Sequence, residues 1–200
     1  ESIDPIRVIT NHSSGKMGYA IARQAAFRGA GVTLVSGPTN LKSPMGVEVI
    51  SIKSAEDMYQ EMVKNADQAD IIIMAAAVAD YTPVTTAENK IKKTEGDFSI
   101  PLKRTKDILL SIGQQKKDGQ FICGFSMETE NMLENSRKKL IKKNADMICA
   151  NNLRQAGAGY QVDTNILTLI QKDFEKELPL LSKDEAANEI LTVIKNSLKK

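Results

Sequence analysis

Cysteine and histidine, on which many metal sites and catalytic triads depend, are scarce in this sequence. It has two cysteines and a single histidine among 200 residues. His12 has no partner at the spacing of a metal site or a catalytic triad, so we assign it no chemistry and expect no metal site built from protein ligands. Cys123 and Cys149 lie inside the apolar runs FICGF and MICAN, which favours reduced, buried thiols and a reducing compartment such as the cytoplasm.

Long apolar runs and an excess of one charge are absent as well. No apolar run reaches the roughly 18 residues of a membrane-spanning helix, so we expect no membrane partner. The formal net charge is +2 and the isoelectric point is about 8.5, which is too mildly basic to indicate a nucleic-acid partner. The length fits one domain over residues 1–200.

Apolar runs of strand length alternate with segments of helical period along most of the chain. This alternation predicts an α/β fold, with a mostly parallel sheet that carries helices on both faces. The predicted strands are residues 7–10, 32–36, 47–52, 70–74, 121–123, 147–150 and 166–170.

Two helices carry the sequence signature of a capping box, a serine followed three residues later by an acidic residue. These pairs are Ser54 with Asp57 and Ser182 with Glu185. A helix that begins near Lys16 is expected to end at Gly29 or Gly31, because glycine suits a left-handed cap.

Two polar segments interrupt the alternation. Residues 82–104 lack a helical period and predict a long arm or flexible loop, of the kind that lies over the site in α/β folds. Residues 152–163 are rich in glycine, asparagine and glutamine and predict a second surface loop.

A turn rich in serine and glycine separates the first apolar run from the first helix. Unpaired N–H groups and the positive end of a helix dipole make such a turn suitable for a phosphate. It matches neither familiar phosphate loop, since Ser13 replaces the first glycine of the dinucleotide motif and Met17 follows Lys16 where a P-loop has serine or threonine. The candidate phosphate-binding residues are Ser13, Ser14, Gly15 and Gly18. The glycines could also serve only the packing of helix on strand.

The segment DIIIMAAAVADY, residues 70–81, reads as a buried strand that ends in three alanines and an aspartate. Ligands of open α/β sheets bind beyond the carboxyl ends of strands, where small side chains let a ring approach the backbone. Asp80 could then accept hydrogen bonds from a ribose or a base. Alanines at a strand end also occur for close helix packing alone.

Lysines cluster in two places. The run KIKK, residues 90–93, lies on the predicted arm and could close over a triphosphate. Lys139 and Lys143 are four residues apart and so share one helix face, which could contact either phosphate or water.

Several of these motifs occur together, in order, in one family. DPIRVITNHSSGKMGYAIA, AAAVADY, KIKK, TKDIL, GFSMET and the segment KKLIKKNAD with the following CAN are similar to phosphopantothenoylcysteine synthetase, the CTP-dependent ligase domain of bacterial coenzyme A biosynthesis. The likeness covers nearly the whole chain and implies a Rossmann-like fold.

The resemblance implies a two-step ligation in the cytoplasm. CTP, with Mg²⁺, activates the carboxylate of 4′-phosphopantothenate as an acyl-cytidylate and releases pyrophosphate. The amine of cysteine then displaces CMP and forms the amide. Nucleotidyl transfer concentrates negative charge that cations and amides must stabilise, and it requires no covalent nucleophile.

The resemblance also implies residue roles. Asn11 matches the asparagine that holds the acyl-cytidylate for the cysteine step, Arg7 matches an arginine that reaches the neighbouring subunit of a homodimer, and Lys90 matches a lysine on the flap. The matching nucleotide-binding residues are Met74, Ala75, Ala76, Ala77, Asp80, Lys90, Lys106, Asp107, Ile108, Leu109, Phe125, Lys139 and Lys143.

The start of the chain departs from the family pattern. Relatives have a strand and a glycine-rich turn ahead of the position of Glu1. We therefore expect a gap or an exposed edge in the sheet, and impaired turnover by the 200-residue chain. The flavin-dependent decarboxylase that is often fused upstream is not part of this sequence, and we predict no decarboxylation.

Two other functions remain open from the residues. A nicotinamide-dependent oxidoreductase would have an acidic residue at the end of the second strand, where this chain has Ser36, Gly37 and Pro38. A nucleotide-binding module without catalysis would bind CTP and release no pyrophosphate.

Overall fold

The computed structural model describes residues 1–93, 95–128, 131–152 and 162–199. The described residues form five helices and eleven strands. The helices are α1 (Lys16–Phe27), α2 (Ala55–Ala66), α3 (Ile108–Gln114), α4 (Met132–Lys142) and α5 (Lys183–Ser197). The strands are β1 (Val32–Ser36), β2 (Val47–Ser51), β3 (Ile71–Met74), β4 (Tyr81–Pro83), β5 (Leu102–Arg104), β6 (Phe121–Glu128), β7 (Met147–Asn152), β8 (Thr164–Asn165), β9 (Leu167–Gln171), β10 (Phe174–Glu177) and β11 (Leu181–Ser182).

The largest sheet has five strands in the order β10-β9-β7-β6-β3. β3, β6 and β7 are parallel, whereas β9 pairs antiparallel with β7 and β10 with β9. Helices α1 and α5 pack on one face, where Ala20, Ile21 and Ile190 join the core. Helices α2, α3 and α4 cover the other face through Met58, Ile112 and other apolar side chains. The predicted α/β class is confirmed.

β1 and β2 form a separate parallel pair, with Val32 opposite Val47. Among the residues that the structure describes, one edge of β1 and one edge of β3 have no hydrogen-bonded neighbour. Helix α1 connects these parts by packing on both β1 and the core of the five-stranded sheet. An exposed sheet edge is expected from the sequence, and the impaired turnover expected with it stays a prediction.

The predicted strand at residues 7–10 is wrong. Residues 7–10 belong to no strand. Their pairing is limited to one isolated bridge, between Val8 and Ser2. The carboxylate of Asp4 accepts hydrogen bonds from the N–H groups of Ile6 and Arg7 and so turns the chain just before the apolar run. Ile6 and Val8 are consequently 65% and 60% exposed.

Both predicted capping boxes are present. In α2 the Ser54 hydroxyl accepts from Asp57 N–H, and the Asp57 carboxylate accepts from Ser54 N–H. Ser182 and Glu185 form the same reciprocal pair at α5. Gly29 follows the end of α1 with φ +86°, as a left-handed helix end requires.

The two cysteines are buried and unoxidised, as predicted. Their sulfur atoms lie 3.6 Å apart, and both residues have no exposed surface. Burial, together with the hydrogen bond to Cys123, raises the pKa of the Cys149 thiol well above its usual value. Such thiols pack as small apolar groups.

The described part of the predicted arm, residues 82–93 and 95–104, begins in β4 and ends in β5. β4 and β5 pair antiparallel at its base, with Thr82 opposite Lys103. The predicted loop at residues 152–163 falls mostly outside the described residues, since only 152, 162 and 163 are described. No helix within the described part of the chain is long and apolar enough to cross a membrane.

Candidate functional site

The carboxyl ends of the three parallel strands meet at one edge of the sheet. Met74, the last residue of β3, lies opposite Gly124 of β6, and Phe125 of β6 lies opposite Cys149 of β7. Beyond β3 the chain continues through exposed Ala76 and Ala77. Because open α/β sheets bind their ligands at this edge, these alanines form the floor of the candidate site.

Asn11 ties the opening turn to this edge. Its side-chain amide Nδ2 donates to the carbonyl oxygens of Ala77 and Val78, at 3.3 and 3.1 Å. The two partners hold the amide plane in one orientation. A side chain fixed in this way can position a bound group without first ordering itself.

The turn then leads directly into the start of α1. Gly15 is the N-cap residue with φ +71°, a left-handed conformation that favours glycine. The hydroxyl of Ser13 accepts from Gly15 N–H and that of Ser14 accepts from Lys16 N–H, both at 3.4 Å.

The first turn of α1 lies against the end of β3. A Cβ added to Gly18 would lie 4.0 Å from the Cβ of Ala75. The first turn of α1 contains no acidic residue, so the positive end of the helix dipole is not neutralised there. The combination suits an anionic ligand.

The arm is fastened beside the alanines. Thr105 donates from its N–H to the carbonyl of Asp80 at 3.0 Å, and from its hydroxyl to the carbonyl of Ala79 at 2.7 Å. The carboxylate of Asp80 belongs to an exposed residue at this edge. Thr105 lies in the TKDIL motif, but sequence reasoning gave it no role.

A second group of predicted residues gathers at the end of β6. Lys139 on α4 donates from Nζ to the carbonyl of Phe125 at 2.8 Å, and Lys143 forms an ion pair with Asp107. Asp107 also caps α3 by accepting from Leu110 N–H. Burial acts to raise the pKa of Asp107, but the hydrogen bonds from Lys143 and Leu110 N–H, together with the positive charges of Lys143 and Lys139, hold the pKa below its ordinary value.

Three predicted nucleotide contacts point elsewhere. Ile108 and Leu109 begin α3, and their side chains are buried in the core on this face of the sheet. Lys106 turns to α2, where it pairs with Glu56 at 2.7 Å and lies 4.2 Å from the centre of the Tyr59 ring.

Arg7 and Lys90 lie at the junction of the arm and the first residues of the chain. Arg7 forms an ion pair with Asp4 at 2.5 Å and donates to the carbonyl of Ile91 at 2.8 Å. Lys90, the residue before Ile91, is exposed. Arg7 therefore bonds within its own chain. Sequence reasoning missed Asp4, although an aspartate before a proline is a common signal for a turn.

The described residues include no group of three or more His, Cys, Asp or Glu side chains that could hold a metal ion. A metal carried by the phosphates of a substrate needs no such group, because Mg²⁺ commonly keeps its waters and takes one or two protein carboxylates. Asp80 is the exposed carboxylate at the end of the alanine segment.

Comparisons with known proteins agree with this architecture. Residues 1–198 match the family described as the DNA/pantothenate metabolism flavoprotein C-terminal domain. The chain is 47% identical over 196 residues to the coenzyme A biosynthesis bifunctional protein CoaBC of Bacillus subtilis, an alignment that covers 97% of this chain and 48% of that protein. The chain thus spans about half the length of the curated relatives it matches.

Solved structures show the same fold. The crystal structure of the C-terminal domain of CoaBC superposes with a TM-score of 0.84 at 44% identity, covering all of this chain and 90% of that one. A Cab2 mutant in complex with phosphopantothenate-cysteine has a TM-score of 0.78 over 98% of this chain and 83% of that one. At 14% identity, the likeness to Cab2 concerns the fold alone.

Proposed function

The chain belongs to the family of the DNA/pantothenate metabolism flavoprotein C-terminal domain, and from that premise we propose that it is a phosphopantothenate–cysteine ligase of coenzyme A biosynthesis. We further propose that CTP supplies the activating nucleotide. One observation carries the proposal: the Asn11 amide and the Gly18 turn of α1 both lie against the alanine segment that follows β3.

The proposed reaction has two steps. A carboxylate oxygen of 4′-phosphopantothenate attacks the α-phosphorus of CTP, and pyrophosphate leaves with the electron pair of the broken P–O bond. The amine of cysteine then attacks the acyl carbon, CMP leaves, and the amine gives up a proton as the amide forms. Both steps place negative charge on phosphate oxygens, which N–H groups and cations stabilise.

Each part of the site has a role in this proposal. The start of α1, with Ser13 and Ser14, binds phosphate through N–H and hydroxyl groups. Ala76 and Ala77 leave room for the nucleotide, and Asp80 accepts hydrogen bonds from it. Mg²⁺ enters with CTP as part of the substrate and neutralises the leaving pyrophosphate.

Lys139, Lys90 and Asn11 have separate roles in the proposed reaction. Lys139 of α4 bonds to the Phe125 carbonyl of β6, and we assign it to the phosphates of the nucleotide. Lys90 is carried by the arm and acts on the nucleotidyl step, when charge develops. Asn11, held by two carbonyls, keeps the acyl-cytidylate in place for the attack by cysteine.

We also propose a homodimer formed through the arm. Several apolar side chains on the arm and the adjoining N-terminal segment are exposed, and apolar patches of this kind mark protein interfaces. They are Ile6, Val8, Tyr81, Val84, Phe98 and Leu102. A second copy of the chain would cover them and bring its own Arg7 close to the site.

Thermal-shift measurements with Mg²⁺ and CTP, ATP or NAD test the nucleotide. We expect CTP to raise the melting temperature more than ATP or NAD does. A ligand stabilises the folded protein more when it binds more tightly. Pyrophosphate release with CTP and phosphopantothenate, followed by amide formation with cysteine, tests the chemistry. Selective stabilisation by NAD would favour an oxidoreductase, and CTP binding without pyrophosphate release would favour a passive nucleotide-binding module.

A further inference from the structure

Asp4 is a fully enclosed carboxylate that the proposed chemistry does not use. Its side chain has no exposed surface. Oδ1 accepts from the N–H groups of Ile6 and Arg7 at 2.9 and 2.8 Å. Oδ2 accepts from Nε and Nη2 of Arg7 at 2.9 and 2.5 Å, and from Ile91 N–H at 3.1 Å. Five donors therefore converge on one carboxyl group.

This arrangement keeps the carboxyl group ionised. The hydrogen bonds from the Arg7 side chain lower the pKa of Asp4, burial opposes them, and the three backbone N–H donors lower it further, so the pKa lies well below the usual value. A buried carboxylate persists only when it is paired and hydrogen-bonded, as here.

The carboxylate joins two distant parts of the chain. Ile91 lies 87 residues from Asp4, and the Arg7 guanidinium donates to the Ile91 carbonyl at 2.8 Å. Both backbone polar groups of Ile91 are thus bound by the Asp4–Arg7 pair. Two bonds extend this attachment, from Ala87 N–H to the Ile3 carbonyl and from the Thr86 hydroxyl to the Ser2 carbonyl.

We propose that Asp4 is a positioning residue that latches the Lys90 section of the arm onto the segment that carries Arg7 and Asn11. This inference rests on the proposed function for its effect on catalysis, but the latch itself is a property of the fold. Asp4 acts through its neighbours: it orients the Arg7 guanidinium and fixes the backbone next to Lys90, so that both cations are held in one place before substrate binds.

Hydrogen exchange of residues 86–93 in the full chain tests the latch directly. Asp4→Asn removes the charge and one acceptor oxygen at nearly constant size, and we expect exchange of this segment to become faster by roughly tenfold, as the loss of a hydrogen bond to a charged group implies. Asp146→Asn is the matched control, because that carboxylate also accepts from a lysine and a backbone N–H, Lys116 and Ile122, but lies just before β7 and has no bond to the described part of the arm. It should leave exchange at residues 86–93 unchanged.

A second variant covers the case in which Asp4→Asn fails to fold. Ile91→Pro removes the N–H that donates to Asp4 and leaves the Asp4–Arg7 ion pair intact. The exchange of residues 86–90 should again increase. Unchanged protection of the arm in both variants would overturn the latch.

Rates of pyrophosphate release then separate a positioning role from a purely structural one. Asp4→Asn should lower kcat for this step and change KM for CTP little, and adding it to the double variant Arg7→Gln/Lys90→Gln should slow the reaction no further. A further loss in the triple variant would mean that Asp4 does not act through Arg7 and Lys90, which would overturn the inference. If the unsubstituted chain binds CTP but ligates nothing, the proposed function fails while the exchange data still decide the latch.

Discussion

At the scale of single residues, the site depends on side chains that bond to backbone far away in the sequence. Asn11 reaches carbonyls 66 and 67 residues further along the chain. Thr105 does the same across 26 residues, toward Ala79. These bonds hold the alanine segment in a defined path, so each substitution there changes both a possible ligand contact and the shape of the site.

Asn11→Ala should separate the two chemical steps. Because the proposal gives Asn11 the task of holding the acyl-cytidylate, pyrophosphate release should stay largely intact while amide formation slows by about a hundredfold, a loss typical of a misplaced reacting group. Quantifying pyrophosphate and the amide product in the same reaction checks this.

Asn65→Ala is the matched control for that variant, since Asn65 also donates from its amide to a carbonyl, that of Glu61 within α2, remote from the strand ends. It should leave both steps unchanged. An equal loss of both steps in Asn11→Ala would contradict the role given to Asn11.

Lys90→Gln should slow the nucleotidyl step. The substitution keeps a polar side chain of similar length and removes the charge that would stabilise the transferring phosphoryl group. Single-turnover pyrophosphate release measures this step, and Lys92→Gln, two residues along the same exposed arm, is expected to retain the rate. If both lysine variants match the unsubstituted protein, Lys90 is not part of the site.

At the scale of elements, the contact between α3 and the end of α4 positions the basic residues near β6. A Cβ added to Gly113 would lie 1.8 Å from the carbonyl oxygen of Lys143, so the two segments touch without space for a side chain. The Asn144 amide donates to the Gly113 carbonyl at 2.8 Å. This contact fixes Lys143 against Asp107 at the start of α3.

Gly113→Ala should therefore be strongly destabilising. The added methyl group would overlap backbone atoms of Lys143, which cannot move aside by a change of rotamer. Overpacking of this kind lowers the free energy of unfolding by about 1–3 kcal/mol or more. Gly31→Ala is the control, because nothing lies within 4 Å of a Cβ there and Gly31 does not have a positive φ. Urea unfolding of both variants, followed by circular dichroism, measures the difference; a Gly113→Ala protein as stable as Gly31→Ala would refute the close contact.

At the scale of the whole molecule, several exposed apolar side chains lie on the arm and on the N-terminal segment latched to it. Phe98 is 56% exposed and Val84 47%. The arm is bonded to the N-terminal segment at Thr86, Ala87 and Ile91, and these bonds leave the exposed side chains available to a second copy of the chain.

Phe98→Glu should weaken the proposed homodimer, because it places a charge in an apolar interface. Sedimentation at micromolar concentration should show a shift toward monomer. Phe27→Glu changes a phenylalanine that is even more exposed, 68% at the end of α1, and should leave the assembly unchanged. A Phe98→Glu protein with unaltered mass would argue against an interface on the arm.

Prediction from sequence succeeded where the signal is local. Strand and helix periodicity, the two capping boxes, the buried cysteines and the family motifs each depend on residues close together in the chain. Prediction failed at residues 7–10, because an apolar run cannot reveal whether a neighbouring strand is present to pair with it. The sequence also did not reveal that the Lys106 side chain pairs with Glu56, and the contact of Lys106 with the nucleotide stays a prediction.

The sequence by itself determined the α/β class, the two helix starts with capping boxes and the family to which the chain belongs. Only the tertiary structure decided that Asn11 meets the alanine segment, that Arg7 turns onto Asp4, and that the carboxylate of Asp4 holds the arm at Ile91. The physical reason is the distance along the chain over which each interaction acts. Backbone periodicity and capping act over a few residues, whereas these bonds join groups that come together only after helices pack on both faces of the sheet and fix where each loop begins and ends.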